Sequence, residues 1–96
     1  MAPTLLPGDR LLVDTRAFRK RLPRVGEVIV FADPEAPGRW LVKRVSRVDE
    51  ASGAVEVRGD AAERSRDSRR FGPLPARLLV GRAYRLYFPP ERRREL

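Results

Sequence analysis

Apolar and polar positions alternate along this chain in short runs, and no stretch repeats at the three-to-four spacing of an amphipathic helix. Arg10–Val13 reads as a first short strand after a Pro7-Gly8 turn. Glu27–Phe31 is β-branched and apolar, and Asp33-Pro34 with Pro37-Gly38 closes it. Arg39–Val48 is the longest strand candidate. Asp49–Gly53 reads as a hairpin loop into Ala54–Arg58, where Val55 and Val57 alternate with Glu56 and Arg58. Gly59–Pro75 is an arginine-rich loop broken by Gly72-Pro73 and Pro75, with one helical turn expected near Pro75–Leu78. Leu78–Phe88 is the last strand and Pro89-Pro90 stops it. The expectation is an all-β fold, a small coiled-sheet barrel, with one domain over residues 1–90 and a charged tail over 91–96 that frays.

Composition narrows the chemistry. Ninety-six residues, 42% hydrophobic and 35% charged, suffice for one core and not two. Cysteine and histidine are both absent, which removes disulfides, thiolate sites, histidine-based triads and most zinc sites from the chain. No apolar run approaches the roughly 18–20 residues of a membrane span, so the chain as written is expected to be soluble. The net charge of +8 invites a nucleic-acid or anionic-lipid reading, with Tyr84, Tyr87, Phe71 and Phe88 as candidate stacking faces. Clusters at Arg64–Arg70 and Arg92-Arg93-Arg94 would suit an anionic membrane surface. An ordinary solvated basic surface accounts for the same charge, and nucleic acid is the weakest of these partners.

The cations are almost all arginine; only Lys20 and Lys43 are lysine. With a period of two along Arg39–Val48, Trp40, Val42 and Arg44 share one face, and Leu41, Lys43 and Val45 the other. A lysine between two apolar neighbours is desolvated, which lowers its pKa. A neutral amine can take a proton from a hydroxyl, as arginine cannot. From this residue alone, a strand lysine laying its stem along an apolar surface is the favoured reading.

Three blocks carry a resemblance. They are Met1-Ala2-Pro3-Thr4-Leu5-Leu6-Pro7-Gly8-Asp9, then Gly26-Glu27-Val28-Ile29-Val30-Phe31 with Leu41-Val42-Lys43-Arg44-Val45, and then Gly59-Asp60 with Ser65-Arg66-Asp67-Ser68-Arg69-Arg70-Phe71-Gly72-Pro73. Together they resemble the signal peptidase I family, membrane-anchored serine/lysine endopeptidases that remove signal peptides. In that pattern, Ser-Met-x-Pro-Thr-Leu, the nucleophilic serine directly precedes the methionine, which is Met1 here. The expectation is therefore that the nucleophile is absent from the chain as written, and that a serine and a membrane anchor precede it in the full-length protein, at the outer face of the cytoplasmic membrane.

The resemblance implies Lys43 as general base, Ser65 as the hydroxyl that orients it, and an Asp67–Arg69 ion pair supporting the loop. In an extended segment residues 67 and 69 would point the same way. Pro3, Leu5 and Val30 are the substrate-pocket guesses. The implied partner is a precursor protein bound as an extended strand, and no metal or cofactor is needed. Ala61 departs from the family's asparagine after Gly-Asp, and the short stretch between Lys43 and Gly59 leaves no room for the accessory β-domain of larger members. The chain looks closest to compact members such as the mitochondrial inner-membrane peptidases. A catalytically inert peptide-binding homologue and a small basic nucleic-acid-binding barrel are the alternatives.

Overall fold

The computed structural model describes residues 5, 6, 8–60 and 67–96. Its centre is β2 (Val28–Ala32), whose first four residues are buried. Consecutive side chains of a strand point to opposite faces, so an unbroken Val-Ile-Val-Phe run belongs where both faces are covered. Ile29 and Phe31 enter one apolar cluster with Val45, Val55, Val57 and Leu74. Val28 and Val30 enter a second with Ala83, flanked by Leu11, Val13, Val42, Val80 and Leu96.

The other strands arrange themselves around this one. β3 (Trp40–Val48) pairs with one edge of β2, and its second half pairs with β4 (Val55–Arg58). β5 (Leu79–Phe88) pairs with the other edge of β2 and with β1 (Arg10–Asp14). The order is β1-β5-β2-β3-β4, antiparallel throughout, with a two-residue β6 (Arg94–Glu95) on β5. The all-β expectation holds. The coiled sheet stays unclosed: among the described residues its end strands β1 and β4 do not pair with each other. Register shifts between Arg10 and Leu11 and between Leu12 and Val13 bend β1 over β5, as bulges do. That close approach requires Gly81, where a Cβ would lie 2.5 Å from the Asp14 carbonyl oxygen.

The arginine-rich loop holds more structure than its composition suggests. Ser68–Phe71 form a single helical turn, α1, capped by Asp67 and ended by Gly72 at φ 79°. Leu74 then exchanges two backbone hydrogen bonds with Val55, of 2.9 and 2.7 Å. The Ser68 hydroxyl accepts from the Val57 amide at 2.8 Å. The outer edge of β4 is thus occupied by its own chain. The expected turn near Pro75–Leu78 is a 3-10 turn over Ala76–Leu78.

The terminal segment differs from the fraying expected of it. Pro90–Arg92 make a 3-10 turn, Arg94–Glu95 pair with β5, and the Leu96 amide donates to the Tyr84 carbonyl at 3.1 Å. Leu96 supplies the reason, since it packs against the second cluster. Its apolar surface is removed from water, which a tail of charges alone would not achieve.

Candidate active site

Lys43 lies on β3 with 8% of its surface exposed. The period-two reading holds: Leu41 and Val45 flank it within the first cluster, and the β2–β3 register sets fully buried Ile29 opposite. The preceding half of β3 is paired on one side only. Its ladder with β4 begins at Arg44, so among the described residues the outer edge of Trp40–Lys43 carries no strand.

Arg44 points to the opposite face and does different work. Its Nη1 donates to the Gly26 carbonyl at 2.9 Å, while Nε and Nη2 grip both Asp60 oxygens at 3.1 Å. The Lys-Arg dipeptide therefore splits by parity, one cation into the core face and one across to the Gly59-Asp60 step.

The β3–β4 ladder pairs Arg44 with Arg58, and continuing that antiparallel register sets Gly59 beside Lys43. The Gly59 amide donates to Asp67 Oδ2 at 3.3 Å. Asp67 also accepts from the Arg69 amide at 3.0 Å, from Arg69 Nε at 3.0 Å and from Arg69 Nη2 at 2.8 Å. The two side chains meet because Asp67 caps the turn that carries Arg69, not because the segment is extended. Burial pushes the Asp67 carboxyl up; the guanidinium of Arg69 and the amides of Arg69 and Gly59 outweigh it and hold the group below the usual carboxylate range. Both flanks of the segment bearing Ser65 are accordingly tied down, at Asp60 by Arg44 and at Asp67 by Arg69.

Met1, Pro3 and Ser65 lie outside the described residues. Leu5 is half-buried, just before the turn that Gly8 makes at φ 89°. Val30 is 4% exposed and pairs with Val42, so it faces the second cluster and is not brought together with Lys43. Of the four aromatics considered as stacking faces, two are engaged within the fold. Phe71 meets Phe31 edge-on at 6.1 Å, and Phe88 carries the Arg10 guanidinium 4.6 Å above its ring.

Glu27 has a part that the sequence reading does not assign. Its carboxylate takes both Arg21 Nη atoms at 2.9 Å and the Arg24 amide at 2.7 Å. Arg82 Nε on β5 stands 3.1 Å away, buried and without a well-aligned hydrogen bond, so proximity rather than direction balances its charge. The Arg21 guanidinium, more than any other group, holds the Glu27 carboxyl below the usual range. Glu27 thereby pins the β1–β2 connection to β5, on the same strand parity as Ile29. An acid at the head of an apolar strand run was the signal available for it.

Among the described residues no cluster of three or more carboxylates, histidines or cysteines could hold a metal, and no helix is long and apolar enough to cross a membrane.

The chain is 37% identical over 103 residues to the mitochondrial ATP-independent inner membrane protease subunit 1b of Arabidopsis thaliana, covering 85% of this chain and 61% of that protein. To subunit 1a of the same plant it is 33% identical, covering 95% of this chain and 67% of the relative. To the probable signal peptidase I-1 of Synechocystis it is 28% identical over 134 residues, covering 96% of this chain and 68% of the relative. The chain thus spans about three fifths to two thirds of these relatives' lengths. Residues 1–51 match the family described as signal peptidase, peptidase S26, and the chain belongs to that family.

Proposed function

We propose that this chain is the catalytic core of a serine/lysine endopeptidase that removes signal or leader peptides from precursor proteins, with Lys43 as its general base. The observation that carries the reading is the position of Lys43. A cation in a chain whose other cations are nearly all arginine sits 8% exposed on the face of Ile29 and Val45. Burial disfavours an ammonium, and a base must be neutral to act.

The nucleophile is the serine that the family pattern sets ahead of the Pro-Thr-Leu segment. Lys43 Nζ takes the hydroxyl proton as the serine oxygen bonds to the scissile carbonyl carbon. Backbone amides beside the nucleophile hold the resulting oxyanion. The tetrahedral species collapses, the C–N bond breaks, and the Lys43 ammonium gives its proton to the leaving amine. Neutral again, Lys43 deprotonates a water that attacks the acyl ester, which releases the new carboxylate and restores the serine. Ser65 orients the Lys43 amine, and Asp67 with Arg69 and Arg44 with Asp60 hold the segment between them. The outer edge of Trp40–Lys43, which among the described residues carries no strand, would receive the substrate as an added strand with backbone hydrogen bonds up to the base. Exposed Arg77 and Arg93 are available to an anionic membrane surface.

An inert peptide-binding homologue would use the same strand edge, so the test must read bond cleavage. The natural polypeptide carrying this sequence and the serine is incubated with a precursor peptide and the products are weighed by mass spectrometry. One defined cut is expected, lost in Lys43→Met and in Lys43→Arg, with a rate that rises with pH as the amine deprotonates. Cleavage surviving in Lys43→Arg removes Lys43 from the mechanism, and binding without cleavage establishes the inert homologue.

A further inference from the structure

The two ends of the described chain meet in one ion pair that neither the sequence reading nor the proposed reaction uses. Asp9 closes the turn after Leu6: its amide donates to the Leu6 carbonyl at 3.1 Å, and its Oδ2 accepts the Leu6 amide at 2.8 Å. The same carboxylate, 5% exposed, receives Arg92 Nε and Nη2 at 3.0 Å each, across 83 positions of sequence.

The path of the chain explains how Arg92 reaches it. β1 lies along one edge of β5, with Arg10 opposite Phe88. β6 lies along β5 as well, with Leu86 opposite Arg94 and Arg85 opposite Glu95. Arg85 and Leu86 also pair with Leu12 and Leu11 of β1, so β1 and β6 occupy the two edges of β5. The 3-10 turn Pro90–Arg92 crosses the end of β5 between them, immediately beside the residue that precedes β1. Both sides of Arg92 are anchored, by Phe88 on β5 and by Leu96 on the second cluster. An exposed ion pair on free side chains contributes little. This one is a two-pronged fork onto a nearly buried carboxylate, with the backbone of Arg92 already held on both sides, where such pairs are strongest.

We propose that Pro90–Leu96 is a clasp and that Arg92 is a positioning residue, which through Asp9 holds the segment carrying Leu6 and Asp9 in place ahead of β1. That segment closes the first block by which this chain resembles a peptidase, and the catalytic consequence, though not the clasp, rests on the peptidase reading. Without Arg92 the Asp9 carboxylate turns to water, the Leu6 amide loses its acceptor, and the segment detaches ahead of β1.

Hydrogen exchange followed by NMR on the full chain tests this without any activity. In Arg92→Gln the Leu6 and Asp9 amides are expected to exchange about tenfold faster, the scale of one charge-assisted hydrogen bond. Val30 and Val42 in the central ladder should keep their rates. Arg92→Lys, which retains the charge and loses the fork, should fall between. Unchanged Leu6 and Asp9 rates overturn the proposal, and so does a uniform acceleration that includes Val30 and Val42, which would make Arg92 a residue of global stability. In the natural polypeptide, Arg92→Gln should lower kcat about tenfold with KM within about twofold. A rise in KM alone would assign Arg92 to substrate binding and overturn its positioning role. If the unaltered polypeptide cleaves nothing, the proposed function fails while the exchange rates still decide the clasp.

Discussion

Replacing Asp67 by asparagine separates the carboxylate's charge from its shape. The carboxylate accepts four hydrogen bonds, two at Oδ1 from the Arg69 amide and Nε, and two at Oδ2 from Gly59 and Arg69 Nη2. Asparagine keeps one oxygen and presents an NH2 in place of the other, so in either orientation donors face a donor. With the NH2 at the Oδ2 position the buried Gly59 amide loses its acceptor, at a cost of about 1–3 kcal/mol. Arg69 is 39% exposed and can be rehydrated, so the larger penalty of a stranded buried charge is not incurred. Adding the weakened cap of α1, the expected loss is about 2–3 kcal/mol. A domain of this size holds only about 5–14 kcal/mol in total, and 2 kcal/mol corresponds to a fall in Tm of roughly 8–16 °C.

The pH dependence gives the sharper test of the same substitution. The folded state holds the Asp67 carboxyl below its usual range, so its contribution is present above that range and is lost as pH falls through the folded value. Urea unfolding of both proteins from pH 7 to pH 2 should give the widest gap at neutral pH, narrowing below about pH 4. Other carboxylates titrate in both proteins, and the difference between them isolates Asp67. A gap below about 0.5 kcal/mol at pH 7, or one that stays constant down to pH 2, would refute the reasoning.

Other substitutions probe separate links. Gly81→Ala would force a Cβ to within 2.5 Å of the Asp14 carbonyl oxygen and 2.9 Å of Val13 Cγ1, so β1 must shift from β5. A net loss of about 1–3 kcal/mol in urea unfolding is expected, and a stabilised protein would contradict the close approach. Glu27→Gln leaves the buried Arg82 Nε without its counter-charge and should cost about 1–3 kcal/mol at pH 7, read by thermal unfolding. Because Glu27 is also held below its usual range, that cost should fade as the pH drops below about 4; a cost that grows there would argue against the clamp. Phe31→Ala removes the largest fully buried side chain and should cost about 3–5 kcal/mol, whereas half-buried Phe71→Ala should cost clearly less. Equal losses in denaturant midpoint would place Phe71 in the core rather than over it.

The burial of Lys43 was legible because parity along one strand needs no knowledge of its neighbours. The Asp67–Arg69 pair was legible as a pair, through the motif, but its geometry was not: the chain turns into α1 at Asp67, and the cap rather than an extended backbone joins the two. The face of Val30 was not legible for a related reason. Its own strand is apolar at every position, so only the pairing with Val42 tells which cluster it enters. Arg44 and Asp60 both lay inside recognised blocks, yet their contact depends on the ladder that ends at Arg58.

By itself the sequence determined the run of strands and turns, the strand character of Val-Ile-Val-Phe, the core-facing parity of Lys43 and the resemblance to a peptidase family. These follow from local rules, the two-residue period of an extended backbone and the special dihedrals of glycine and proline. Tertiary structure alone decided that a turn of helix and Leu74 cover the edge of β4. It also decided that Glu27 gathers two arginines, and that the last residues return to hold Asp9. Each of these depends on which segments the sheet order brings within hydrogen-bond reach. A pairing across 83 positions leaves no periodic trace in the chain, because its energy comes from a neighbour that only folding supplies.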